Sequence, residues 1–417
     1  MTPNPHSTSV HPVNPRYALL GTVFSDGVED ADTLVILDGD RIAYAGPPAA
    51  CPPGIQEGAE RVNVPVGGAI LPGLIDLHCH GAIGADFPSG DEQSSRSAVE
   101  FLHDHGTTTL LCSLVTAPPR ELLRAISDLK PLVNEGLVAG VHLEGPFLSK
   151  TKCGAQDPAW LCEPDFSLLD KLLQAADGVL RTMTYAPELQ GAEELVRKLA
   201  SNGIIPSLGH TDCSSEVAEH SLRAAGRALR RLPSAQDARP TVTHLFNGMP
   251  PMHHRAPGPV SACLRLARQG AVVVELIGDG VHLDPQTMQT TFELVGAENV
   301  ALVTDSMAAT GLPDGCYELG PSQVFVEHGV ARLKNGTSLA GGTATLLDVV
   351  RATIRAGVAP AEAVLSATAV PARLLGLHLE LGSIKTGMRA DLVVVDSGYR
   401  AVSVVRGGSR RRPVQHT

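Results

Sequence analysis

No stretch of the 417-residue chain approaches the run of about 18 apolar residues that a membrane-spanning helix requires. The opening MTPNPHSTSVHPVNPRY lacks the apolar centre of a secretory signal, so neither an anchor nor an export signal is expected. Among the eight cysteines there is no C-x-x-C pair; their scatter suits reduced thiols better than disulfides or a cysteine-built zinc knot. Nor is there a long basic stripe. Apart from RALRRL (Arg227 to Leu232) and RRR (Arg410 to Arg412), both read as solvated surface, nothing offsets a formal net charge of -11, which argues against nucleic acid or an anionic membrane as partner. No repeat recurs at solenoid periods. These absences lead to the expectation of a cytoplasmic protein, and 43% hydrophobic with 18% charged residues allows a large core.

What is present is an alternation. Between about Ile70 and Met307, short β-branched runs alternate with amphipathic segments of helical period, the pattern of βα units around a parallel sheet. The expected strands are AILPGLID, TTLLCSL, VAGVHLEG, RTMTYAPE, IIPSLGHT, TVTHLFNG, AVVVELIGDG and VALVTDS, most of the intervening helical segments stopping at glycine. Eight such units fit a (β/α)8 TIM barrel better than an open doubly wound sheet, giving an α/β fold class. The flanks alternate with period two around Gly and Asp turns, so both chain ends are expected to form one small β-sandwich. The organisation reads as a disordered tail over 1–15, sandwich over 16–69, barrel over 70–376, sandwich again over 377–408 and a C-terminal tail over 409–417. GTATLLDVVRATIRAG and AEAVLSATAVPARLLG are expected to close the barrel as two helices, after an inserted strand pair, CYELGPSQVFVEHG and VARLKNG. Residues 227–240 read as an exposed insertion.

Barrel chemistry sits where the strands end. Strand one ends in His78 and His80, strand three in His142 and Glu144, strand five in His210; strand six carries His244, strand seven runs into Asp279 and His282, and strand eight ends in Asp305. Any one of these could be a satisfied polar residue, but six strands supplying one rim are not well explained that way. In LIDLHCHG the two histidines share a face and Cys79 takes the other, so the three cannot grip one ion together. Four histidines and a carboxylate suit Zn2+ or Fe2+ and are too nitrogen-rich for Mg2+ or Ca2+. Glu144 is the candidate bridge between two ions, with His78 and His80 on one side and His210 and His244 on the other. His142 is expected behind the rim, and Asp279 is expected to be structural.

The ordered strings PGLIDLHCHG, HLEGPF, GHTD, THLFNGM, DGVH and TDSMAA, with CGAQDP, HHRAPGP and the closing GMRADLVVVD, resemble the amidohydrolase superfamily and, within it, the N-acetylglucosamine-6-phosphate deacetylase family. The resemblance runs from about Leu19 to Gly407. It implies hydrolysis of the N-acetyl group of an amino-sugar 6-phosphate. Asp305 would orient the water, take its proton and pass it to the leaving nitrogen, and His282 would donate to the acetyl oxygen. Without the resemblance, Asp305 could equally cap a helix, and DGVHLDP could be a simple turn with Asp284 capping the next helix.

The resemblance also implies that Arg255, in the basic run His253-His254-Arg255, serves the phosphate across a dimer interface, with Asn247 and the backbone of Gly248 completing the seat. Retention of both strand-one histidines favours two ions per subunit. Departures from the family pattern spare the expected metal ligands, and several touch the substrate wall: Gly248, Ala256 and Ser306 replace common residues, HGAIG stands for a glycine-rich run, and Gln156 replaces a lid-loop histidine. Cys153 in that loop reads as an ordinary small residue. The competing readings are a deacetylase of N-acetylgalactosamine 6-phosphate or of another amide, and a barrel that has lost catalysis and serves assembly.

Overall fold

The computed structural model describes residues 15–231, 238–334 and 338–411. All eight expected barrel strands form: β1 (Leu74–Cys79), β2 (Thr107–Val115), β3 (Gly140–Glu144), β4 (Leu180–Tyr185), β5 (Ile205–Leu208), β6 (Thr241–Val242), β7 (Val273–Ile277) and β8 (Val300–Val303). They pair in chain order, each neighbour parallel. The ring closes between β8 and β1, where Asp305 N donates to His78 O at 2.9 Å and His80 N donates to Ser306 O at 2.7 Å. Closure therefore runs through the residues at the chemical rim.

Strands covered on both faces read as continuous apolar runs, and every residue of β2, β3 and β7 is buried. The helices outside them bury one stripe. Pro119–Asn134 turns Leu122, Ala125, Ile126, Leu129 and Leu132 inward, the spacing of a single helical face. Side-chain caps fix several helix starts: Asp91 accepts from Ser94 N, Asp165 from Ser167 N and Leu168 N, and Asp284 from Gln286 N, as its position before Pro285 suggests.

Both chain ends build the small β unit. Its strands run in the order Ser409–Arg411, Ala401–Arg406, Leu392–Val395, Ala69–Pro72, Arg16–Ser25, Val28–Asp38, Arg41–Gly46, with Glu60–Val62 also pairing with Arg16–Ser25. Leu19, Val35, Ile70, Leu392 and Val405 belong to its own apolar cluster.

Four boundaries differ from expectation. Ala69–Pro72 belongs to this flanking sheet, not to the barrel, and the chain passes between the two at Gly73, where a Cβ would lie 2.1 Å from Thr108 Oγ1. Residues 409–411 form a strand because the turn at Gly407 and Gly408 folds them back on Ala401–Arg406; the remainder of the expected tail lies outside the described residues. The insertion is three strands, Gly315–Leu319, Ser322–Glu327 and Val330–Leu333, because Gly320-Pro321 turns the first segment back on itself. The last expected helix is two, Pro360–Ala367 and Ala369–Leu374, since Pro371 cannot donate to the preceding turn. The expected 1–15 tail lies outside the described residues but for Pro15. Of the 227–240 insertion, residues 227–229 complete a helix and 232–237 lie outside the description.

Candidate active site

The predicted rim residues meet above the C-terminal ends of the strands. His78 Nε2 and His80 Nε2 lie 3.0 Å apart, and Asp305 Oδ1 lies 3.3 Å from the first and 3.1 Å from the second. Glu144 Oε1 lies 2.9 Å from both His210 Nε2 and His244 Nε2, while its Oε2 faces His80 Nε2 at 3.3 Å and His78 Nε2 at 3.7 Å. Two donor groups result, His78 with His80 and Asp305, and Glu144 with His210 and His244; within each, the ligand atoms lie within 4.8 Å of one another. Glu144 presents one oxygen to each histidine pair, as expected of a bridge. Asp305, expected only as a proton carrier, also completes the first group.

The remaining ring nitrogens decide whether these imidazoles suit a cation. His80 Nδ1 lies 3.1 Å from Ser113 O, and His210 Nδ1 lies 2.8 Å from Lys152 O. A carbonyl only accepts, so each Nδ1 carries the proton and each Nε2 presents a lone pair. His78 Nδ1 faces the carboxylate of Glu275 on β7 at 3.4 Å, with the same consequence. Nitrogen lone pairs 3.0–3.2 Å apart repel one another unless a cation sits between them, so the donor set fits a divalent ion.

Burial would push the Asp305 carboxyl up, but the charges of His78 and His80 override it and hold it at about 2. Proton and cation compete for the same Nε2 lone pairs: burial lowers His80, but the hydrogen bonds and charges of Asp305 and Glu144 outweigh that and raise it to about 9, so an ion binding there displaces that proton. The backbone at the rim is unusual too. His210, His244 and Asp305 have φ of 47°, 28° and 49°, the left-handed region that costs a non-glycine residue about 1–3 kcal/mol and clusters at functional sites. Gly209 makes the first of these bends possible, since a Cβ there would sit 2.8 Å from Thr243 Cβ.

Around the donors lies a cleft of about 260 Å3 whose walls include Asn247, Gly248, His282, Leu319 and Leu339. His282 Nδ1 donates to Asp279 Oδ2 at 2.8 Å, so Nε2 is the nitrogen left for the cleft. Asp279, expected to be structural, thus orients His282, and it also accepts from the backbone N–H of Val281 and His282. Burial disfavours a charged His282, but the Asp279 hydrogen bond prevails and raises its pKa. Gln156 lines the cleft and is engaged within the protein: its Nε2 donates to Glu144 Oε2 at 2.6 Å and its Oε1 accepts from Thr116 N at 2.7 Å.

Some candidates stand apart. His142 lies behind the rim as expected, both nitrogens taken by the hydroxyls of Ser113 and Thr184 at 2.9 and 2.8 Å. Cys79 is fully buried, its Sγ 3.2 Å from Ser306 Oγ, and burial pushes its thiol up. Cys153 is half-buried beside the cleft-lining run Gly154-Ala155-Gln156. Arg255 is exposed and is not among the residues lining the cleft of its own chain. Glu275 was not anticipated; the signal was a lone carboxylate inside VVVELI, where a buried charge demands a partner.

The sequence profile of the amidohydrolase family matches residues 69–417. The chain belongs to the amidohydrolase family. Within it, the chain is 34% identical over 364 residues to N-acetylglucosamine-6-phosphate deacetylase of Bacillus subtilis, covering 84% of this chain and 86% of that one. It is 33% identical over 340 residues to N-acetylgalactosamine-6-phosphate deacetylase of Escherichia coli O157:H7, covering 80% and 85%. A substituted form of N-acetyl-D-glucosamine-6-phosphate deacetylase from Mycobacterium smegmatis, solved in complex with N-acetyl-D-glucosamine-6-phosphate, superposes with a TM-score of 0.85 at 35% identity, over 95% of this chain and 99% of that one. This amidohydrolase thus shares barrel and flanking sheet with deacetylases of phosphorylated amino sugars, and its donor groups are of the kind that could hold a metal.

Proposed function

We propose that the protein hydrolyses the N-acetyl group of N-acetylglucosamine 6-phosphate, giving glucosamine 6-phosphate and acetate. The observation that carries this reading is Glu144, one oxygen on each histidine pair, at the floor of a cleft in a fold shared with deacetylases of that substrate. His78, His80 and Asp305 would hold one divalent ion, and Glu144, His210 and His244 a second, Zn2+ or Fe2+ by the nitrogen-rich donor set. Such ions bring the acidity of water toward neutral pH and polarise an acyl oxygen.

The chain's own residues supply the rest. Asp305, ionised at neutral pH, takes the proton of the attacking water as the O–C bond forms, and delivers it to the amide nitrogen as the C–N bond breaks. Protonation matters there because an amide anion is too poor a leaving group. His282, oriented by Asp279, donates from Nε2 to the acetyl oxygen as negative charge develops on it. Asn247 and Gly248 seat the sugar phosphate, and Arg255, exposed in its own chain, completes that seat from the partner in a homodimer. Gln156 contacts the substrate from the lid loop through whatever hydrogen-bonding capacity Glu144 and Thr116 leave it. Eight unpaired cysteines support a reducing, cytoplasmic compartment, and no helix among the described residues is long and apolar enough to cross a membrane.

The test is an acetate-release assay over N-acetylglucosamine, N-acetylgalactosamine and the 6-phosphates of both, with metal content measured on the same preparation. The highest kcat/KM is expected on N-acetylglucosamine 6-phosphate with about two ions per chain. Equal rates on phosphorylated and unphosphorylated sugars would sink the phosphate seat, and faster release from the galactosamine compound would transfer the assignment to that sugar.

A further inference from the structure

Of the four histidines in the two donor groups, His78 alone has a carboxylate behind it. His80 and His210 rest their Nδ1–H on backbone carbonyls, whereas His244 Nδ1 is buried with no hydrogen-bond partner among the described residues. Glu275 Oε2 lies 3.4 Å from His78 Nδ1 and 3.4 Å from the backbone N of His244. Its carbonyl oxygen accepts from Leu245 N at 2.8 Å. The residue is 2% exposed, and among the described residues no lysine or arginine pairs with it.

A buried carboxylate whose polar neighbours are one imidazole and one backbone N–H is costly, because attraction to a nearby positive charge must offset its lost hydration. Glu144, Asp305 and Glu275 face the histidines, and the buried Asp76 accepts from His78 N at 3.2 Å behind them, so the cluster carries more negative charge than one divalent ion neutralises and a second ion relieves it. A carboxylate accepting the far N–H of a ligating imidazole also fixes the tautomer and makes the near nitrogen a stronger donor.

We propose that Glu275 is a positioning residue for the divalent ion of the His78, His80 and Asp305 group, holding His78 as the Nδ1–H tautomer and supplying charge that lets this group keep an ion beside the one at Glu144, His210 and His244. The inference rests on the two-ion reading above. It adds that the two groups differ in what sustains them: the β1–β8 group depends on a carboxylate from β7 that touches no substrate.

The test measures metal content and affinity in the full-length protein, by mass spectrometry after equilibration with a weak chelator and by competition titration with Zn2+. Glu275→Gln keeps shape and hydrogen-bonding capacity and removes only the charge. It is expected to keep the ion at Glu144, His210 and His244 and to bind the one at His78, His80 and Asp305 about 10- to 100-fold more weakly. Added to His78→Ala, the same change is expected to cost less than it does alone, because the part of its effect that fixes the tautomer runs through that imidazole. Wild-type affinity for both ions in Glu275→Gln overturns the proposal, as does equal weakening of both. A wild-type protein that itself holds a single ion would instead overturn the two-ion reading, and this inference with it. Thermal unfolding of the metal-free variants separates altered binding from altered folding, and Glu275→Gln serves even if Glu275→Ala does not fold.

Discussion

The two donor groups share Glu144 yet are built differently. The group of His78, His80 and Asp305 sits at the seam where the barrel closes, so the backbone hydrogen bonds joining Asp305 to His78 and His80 to Ser306 form barrel and site in one act. The group of Glu144, His210 and His244 spans β3, β5 and β6 and is stabilised from the side by loops, through Lys152 O on His210 and Gln156 on Glu144. The seam group is therefore held by the strands' own pairing, and the other group by side contacts from the loop after β3.

The largest effect that tests this contrast comes from the bridge. Glu144→Ala should remove donors from both groups, abolish measurable acetate release and leave less than one ion per chain; retention of one tightly held ion would mean the seam group is self-sufficient. Asp305→Asn should lower kcat by about 10^3-fold, in the range of general acid–base catalysis, with KM little changed. If instead KM rises and kcat holds, Asp305 is a ligand only. Arg255→Ala should raise KM for the phosphorylated sugar by about 10- to 100-fold and leave the unphosphorylated sugar unaffected, the scale of a lost charge-assisted hydrogen bond. Asp279→Asn is milder. The carboxylate holds the His282 pKa up, so its removal should lower that pKa, shift the alkaline limb of the pH–rate profile to lower pH and cost roughly tenfold in kcat. Smallest of all, Cys79→Ser should leave metal content and rate unchanged, since its sulfur faces Ser306 and not the donors.

Much of this arrangement is legible in the sequence because strand periodicity is local. Apolar runs between helical segments mark all eight barrel strands, and the polar residues ending six of them mark the rim, so His78, His80, Glu144, His210 and His244 can be assembled without coordinates. What cannot be read is pairing at long range. Asp305 joins His78 across the seam over more than two hundred residues of chain, and Glu275 reaches His78 from β7; neither distance has a local signature. Asp279 was hidden for the opposite reason. A carboxylate three residues before a histidine in a turn explains itself as turn chemistry, and only the 2.8 Å contact reveals its second role. The boundary at Gly73 is invisible in AILPGLID, because period two does not say which of two sheets a strand joins.

The flanking sheet has its own implication for how the molecule is made. Ala69–Pro72 is paired on one side with Arg16–Ser25, which precedes it in the chain, and on the other with Leu392–Val395, which is synthesised about three hundred residues later. Until then one edge of that strand is open to any passing chain. A polypeptide ending before Leu392 can have every barrel strand and every metal donor in place and still carry an adhesive edge, so a complete site does not by itself mean a sealed fold.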